Sequence, residues 1–231
     1  VKWGGKLIKT YCGNCLDILP TLELDKAIIV TDPPFNVNYH YKTYKDNLNE
    51  EEYFSMMSQV LKKYPSVVIH YPEALHKISM MIHKAPLKVV SWVYNSNTAK
   101  QHRDIAFYDV MPDFRKVTQP YKNQNDKRIK ERMARGIMGG RLYDWWNVNQ
   151  IKNVSKEKTI HPCQMPLEVM KNIIGILPEE YLIIDPFMGS GTTGLACRCL
   201  GRDFIGIEID EDYCRIANNR INNVVIQENL F

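Results

Sequence analysis

The chain has 231 residues, of which 45% are hydrophobic and 24% charged, with 30 lysines and arginines against 26 aspartates and glutamates. That length suits one large domain or two small ones, and so balanced a composition excludes a disordered chain, a collagen-like repeat and a disulfide-dense miniprotein. No run approaches ~18 uncharged apolar residues and the stretch from Val1 to Lys6 has no apolar signal region, so no membrane span or secretory leader is expected and the cytoplasm is the expected compartment.

In chain order, short apolar runs alternate with segments of helical periodicity. Ala27–Val30 reads as a strand, Tyr53–Lys62 as a helix, Val67–Ile69 as a strand, Ala74–His83 as a helix and Val89–Val93 as a strand. Strands separated by helices of this length predict βαβ units and a mostly parallel sheet with helices on both faces. After Asn95 the pattern dissolves, and residues 96–158 are polar, basic and punctuated by proline and glycine. They are read as an insertion within one catalytic and cofactor-binding domain made of residues 1–95 and 159–231. Order returns with a helix over Pro166–Leu177, a strand over Tyr181–Ile184, a helix over Thr192–Leu200, a strand over Phe204–Ile207 and a last helix over Glu211–Asn222, with Asp210 as its N-cap.

The net charge is only +4, yet from Lys122 to Arg141 seven basic residues face two acidic ones, which leaves the rest of the chain near neutral. Either this is a solvated helix face or it marks a polyanionic partner. Six cysteines invite a metal reading, but Cys12-x-x-Cys15 has no second half, and Cys197 and Cys199 point to different faces of a helix; reduced, mostly buried thiols are expected.

Two stretches carry chemistry. Asp185-Pro186-Phe187-Met188-Gly189-Ser190-Gly191-Thr192-Thr193 follows an apolar strand and opens a helix, a context in which a glycine turn lets backbone approach a nucleotide-like ligand. The next strand ends at Glu208, a carboxylate placed to accept ribose hydroxyls. The loop lacks the third glycine of the dinucleotide fingerprint and the Gly-Lys-Ser/Thr of a phosphate loop, so a ligand with ribose and no phosphate fits better. S-adenosylmethionine is such a ligand, with Asp185 for its ammonium group and the Phe187 ring beside its sulfonium. The second stretch is the strand end Asp32-Pro33-Pro34-Phe35. Two prolines donate no amide hydrogen and fix the chain in a stiff hook, which presents carbonyls and the Asp32 carboxylate. Acceptors without donors suit an amine, and Phe35 offers a face on which a base can stack.

Together these motifs resemble the amino-group DNA methyltransferases that modify adenine N6 or cytosine N4. The hook before the glycine loop, with a variable segment between, is similar to the circularly permuted β group. The resemblance extends to His161-Pro162-Cys163-Gln164-Met165-Pro166, and to Gly13-Asn14-Cys15, similar to a turn whose side chain meets the cofactor adenine. Three positions depart from the family pattern: Phe35 stands for a usual Tyr, Asn14 for Asp and Met165 for a frequent Lys.

The resemblance implies a Rossmann-like methyltransferase fold that binds S-adenosylmethionine through Asn14, Cys15, Asp32, Asp185, Phe187, Gly189, Ser190, Gly191, Thr192, Thr193 and Glu208. It implies that the hook Asp32, Pro33, Pro34 and Phe35 is the catalytic element. The base is flipped out of double-stranded DNA and methylated directly, and residues 96–158, with Lys127, Arg128, Lys130, Arg132 and Arg135, become the target-recognition region. An Asp at the head of the hook favours adenine N6, with cytosine N4 as the alternative. Pro162-Cys163-Gln164 also matches the nucleophile motif of C5-cytosine enzymes, although there the glycine loop precedes the cysteine. An RNA methyltransferase, or a silent nucleic-acid-binding module, remains open, as do a homodimer and a companion restriction endonuclease.

Overall fold

The computed structural model describes residues 2–3, 5–39, 43–151, 155, 158–159 and 163–223. The chain begins with the strands β1 (Lys2–Trp3) and β2 (Lys6–Cys12), a short helix α1 (Cys15–Ile18), β3 (Ala27–Thr31) and α2 (Glu50–Leu61). It continues through β4 (Ser66–His70), α3 (Pro72–Met81), β5 (Lys88–Val93) and β6 (His102–Tyr108). Next come β7 (Thr118–Pro120), α4 (Lys127–Ala134), β8 (Gly139–Arg141) and β9 (Trp145–Asn147). The last elements are α5 (Leu167–Gly175), β10 (Leu182–Asp185), α6 (Thr192–Cys199), β11 (Phe204–Glu208) and α7 (Glu211–Asn222). Local chemistry accounts for the helix starts. The Asn49 side chain accepts the Glu52 amide at the head of α2, where three glutamates complement the dipole, and Asp210 accepts the amides of Asp212 and Tyr213 to open α7.

Among the described residues nine strands form one sheet in the order β1-β2-β11-β10-β3-β4-β6-β5-β9, and β7 pairs with β8 in a separate ribbon. From β2 to β4 the strands are parallel; β1 and β6 run against their neighbours. Both faces are covered, because consecutive residues of a strand point to opposite sides. Ile28 and Val30 belong to a core with α5, α6 and α7, whereas Ala27 and Ile29 belong to one with α2 and α3. The expected Rossmann-like fold is therefore present.

The expectation that order stops at Asn95 is corrected. β6 lies within residues 96–158, yet Ile105, Ala106, Phe107 and Tyr108 are buried between β4 and β5. The polar start His102-Arg103-Asp104 hides this strand from a hydrophobicity reading. β2 escapes such a reading for a related reason: it sits near the edge of the sheet, and of its seven residues only Ile8 is buried. Trp146 is in the core, as a structural tryptophan would be, while Trp145 is exposed beneath the Lys122 ammonium, 3.5 Å from its ring.

Candidate active site

Adjacent strands that lead away from one another open a crevice at their carboxyl ends, and β10 and β3 form such a pair. They run parallel with Ile183 beside Ile28 and Ile184 beside Ile29, so Asp185, the last residue of β10, and Asp32, the residue after β3, reach the same edge. Asp32 and Asp185, 153 positions apart in sequence, thereby share a site. A cleft of about 360 Å³ opens there. It is lined by Asn14, Cys15, all four residues of the hook, Phe187, Gly189 and Glu208. A smaller adjoining cavity is lined by Asp185, Ser190, Thr192 and Thr193, and shares Asp32, Phe187 and Gly189 with the cleft. Gly191 lines neither cavity; its φ of 80° forms the left-handed turn into α6, and a Cβ there would lie 2.8 Å from that of Ala217.

The hook is held from behind by residues that no motif announced. The Tyr71 amide donates to His70 Nδ1 at 2.8 Å, so the imidazole, kept neutral by burial that pushes its pKa down to about 3, carries its hydrogen on Nε2. Nε2 donates to the Tyr53 hydroxyl at 3.0 Å, and that hydroxyl donates to the Pro34 carbonyl at 2.7 Å. The His70 ring also stacks on Phe35, with centroids 4.3 Å apart and planes at 26°. Tyr53 thus engages one carbonyl of the hook, that of Pro34. Beyond the hook, the buried Asp46 carboxylate accepts the amides of Asn36, Val37 and Tyr39, which shapes a turn in which Asn36 and Asn38 have positive φ.

Asp32 itself is largely enclosed. Its Oδ1 makes no hydrogen bond, and its nearest charge is the Arg103 guanidinium at 3.6 Å. Burial pushes the carboxyl up to about 6 against the pull of Arg103. A carboxylate oxygen without a hydrogen bond can act as an acceptor. Arg103 was not foreseen, since it belongs to the strand hidden in residues 96–158.

On the cofactor side, the Asp185 carboxylate accepts hydroxyls from Thr193 and Thr31 and the Phe187 amide, and burial still pushes its carboxyl up to about 7. Glu208 accepts the Gly189 amide at 2.8 Å and the Asp210 amide at 2.9 Å, so it shapes the glycine turn while facing the cleft. Ser190 and Thr192 accept from Arg220, which braces the loop from α7. The Asn14 side chain caps α1 by accepting the Leu16 amide, and Cys15 is buried, its thiol pushed up to about 12 by desolvation. Cys163 lines both cavities, and Met165 is buried with its sulfur 3.7 Å from an Arg103 nitrogen. His161 and Pro162 lie outside the described residues.

The basic residues form a separate feature. Lys127, Arg128, Lys130 and Arg132 project from α4 and Arg135 from its C-cap; all five are exposed, no residue of α4 is buried, and none of the five lines the cleft.

Comparisons with known proteins identify the chain's relatives. The profile of the N6/N4 DNA methylase family matches residues 27–219, which include the hook, the glycine loop and Glu208. The Type II methyltransferase M.HpaI of Haemophilus parainfluenzae is 26% identical over 93% of this chain and 74% of its own length. The DNA adenine methyltransferase YhdJ of Escherichia coli is 26% identical over 96% of this chain and 85% of its own. Among solved structures, the cytosine-N4-specific PvuII DNA methyltransferase superposes with a TM-score of 0.67 at 17% identity, covering 96% of this chain and 90% of that one. The SAM complex of M1.HpyAVI gives 0.59 at 24% identity, covering 93% and 100%.

Proposed function

This chain belongs to the N6/N4 DNA methylase family, and we propose that it methylates the exocyclic N6 of adenine in double-stranded DNA, using S-adenosylmethionine. The observation that carries the reading is the enclosed Asp32 carboxylate, an acceptor without a hydrogen bond at the end of a strand that adjoins the Asp185 strand. Adenine rather than cytosine rests on the Asp at the head of the hook.

S-adenosylmethionine supplies an electrophilic methyl group on a sulfonium. The donor set fits it: Asp185 for the ammonium, Glu208 for the ribose hydroxyls and the Phe187 ring for the cationic sulfur. Asp32 and the Pro33 carbonyl accept the two hydrogens of the base's amino group, which localises the nitrogen lone pair toward the methyl donor. Phe35 stacks on the base, and the rigid prolines together with the Tyr53 hydrogen bond hold the acceptors in place. When the nitrogen takes the methyl group it must shed a proton. Asp32 Oδ1, with a carboxyl near 6, is placed to accept it and to return it to water. No thiol is needed, although Cys163 is at hand. The exposed basic face of α4 serves as a phosphate contact, residues 96–158 outside β6 and β9 as the target-recognition region, and a restriction-modification setting with a companion endonuclease as the context.

The test is transfer of methyl from labelled S-adenosylmethionine to unmethylated duplex DNA, followed by digestion to nucleosides and mass spectrometry. N6-methyldeoxyadenosine is expected. N4-methyldeoxycytidine would keep the mechanism and correct the base, whereas C5-methyldeoxycytidine, or no modified nucleoside, would overturn the reading.

A further inference from the structure

We propose that the Arg103 guanidinium occupies the seat of the target base, and that a base must displace it to enter. The proposal rests on the methyl-transfer reading for what the pocket receives, and on the arrangement of the pocket for the rest. Phe35 has two faces. His70 stacks on one at 4.3 Å, so the guanidinium, whose central carbon lies 4.5 Å from the same centroid over the ring, takes the remaining one. A base that stacks on Phe35 has only that face available. The same guanidinium lies 3.6 Å from Asp32 Oδ1, where a base's amino group would be received. It therefore meets both groups that would hold the base.

Arg103 has few strong hydrogen bonds for a buried guanidinium. Its Nε is buried without one, its Nη1 faces Met165 Sδ at 3.7 Å and Asp32 Oδ1 at 3.6 Å, and its remaining side-chain hydrogen bond is to Tyr94. The 3.6 Å to the carboxylate exceeds the ~2.7–2.9 Å of a direct charge-assisted bond. An arginine that braces a fold permanently usually engages carboxylates or carbonyls through several N–H groups, as Arg202 does with the carbonyls of Ile174, Pro178 and Tyr181. What Arg103 has instead is aromatic surface: Trp92, Tyr71 and Tyr94 lie within 5.3 to 6.0 Å. A planar, delocalised cation stacks in such surroundings much as a nucleobase does. When displaced it has a destination, because Arg103 is the second residue of β6, and the exposed Lys100 covers the Tyr71 ring nearby at 3.8 Å. Swung outward, the guanidinium joins a second cation where a DNA backbone would pass.

A seat that is filled most of the time lowers apparent affinity by the fraction of time it is open. The experiment titrates 2-aminopurine deoxyriboside, a fluorescent base analogue, into the wild type, R103M and R103A. Met keeps an unbranched stem against Trp92 and Tyr94 and removes the cation; R103A is the second variant, and whichever melts as the wild type does is read. Binding at least about tenfold tighter than wild type, with quenched fluorescence, is expected. Equal or weaker binding, including no detectable binding by either protein, overturns the proposal. Methyl transfer to DNA by the wild type is measured in parallel. Its absence sinks the parent reading, whereas transfer without a gain in nucleoside affinity sinks only the assignment of Arg103.

Discussion

Lowering the pH from 8 to 6 should weaken S-adenosylmethionine binding about tenfold, because the group assigned to the ligand's ammonium is half protonated near neutrality. Burial raises the Asp185 carboxyl from an ordinary 3.8 to about 7. With one proton to release, roughly nine-tenths of the protein is ready at pH 8 and roughly one-tenth at pH 6. The free protein should show the opposite trend in stability. Between about pH 4 and 7 the folded state retains a proton that the unfolded chain has released, so the unfolding free energy falls by about 1.4 kcal/mol per pH unit for that group as pH rises. Titration calorimetry at pH 6, 7 and 8 measures the affinity. At pH 7, phosphate and Tris buffers should give binding enthalpies that differ by about half of their ionisation-enthalpy difference. D185N should bind more weakly at pH 8 and lose the pH dependence. An affinity constant to within twofold from pH 6 to 8, with buffer-independent enthalpy, would show that Asp185 meets no cation.

Three further outcomes are expected. Asp32→Ala should lower methyl transfer at least about 100-fold, since a preorganised acceptor at the reacting amine is removed, while calorimetry finds S-adenosylmethionine affinity nearly unchanged; near wild-type turnover would sink the catalytic assignment. Y53F removes the hydroxyl that joins His70 to the Pro34 carbonyl, so stability should drop by about 1–2 kcal/mol in denaturant titrations. Turnover should fall with it while the KM for S-adenosylmethionine stays put; a variant that merely melts earlier at full turnover would remove the positioning role. Charge reversal at Arg128, Lys130 and Arg132 should weaken DNA binding regardless of sequence and reduce the slope of log affinity against log salt by about 0.9 for each phosphate no longer neutralised; an unchanged slope would make α4 a solvated face.

The two chemical motifs were legible because they depend on local covalent constraints. Consecutive prolines after an apolar strand can only make a donor-poor hook, and glycines between a strand and a helix can only make a close backbone turn. Apolar periodicity likewise announced β3, β4, β10, β11 and the helices between them, since each buries a regular face. What periodicity could not reach was everything that depends on neighbours in space. β6 begins with three polar residues, of which Arg103 lines the cleft, and its last four residues are buried between β4 and β5. Its place in the sheet, and hence that of Arg103, is set by pairing partners and not by its own composition. Tyr53 and His70 look in the sequence like ordinary members of a helix and a strand; only the packing of α2 against β4 makes them a hydrogen-bonded brace for the hook. The sequence alone determined which groups the chain would bring to a methyl donor and an amine. That Asp32 and Asp185 meet at all was decided by the parallel pairing of β3 with β10, an association of distant segments whose energy lies in the two cores that cover both faces of the sheet.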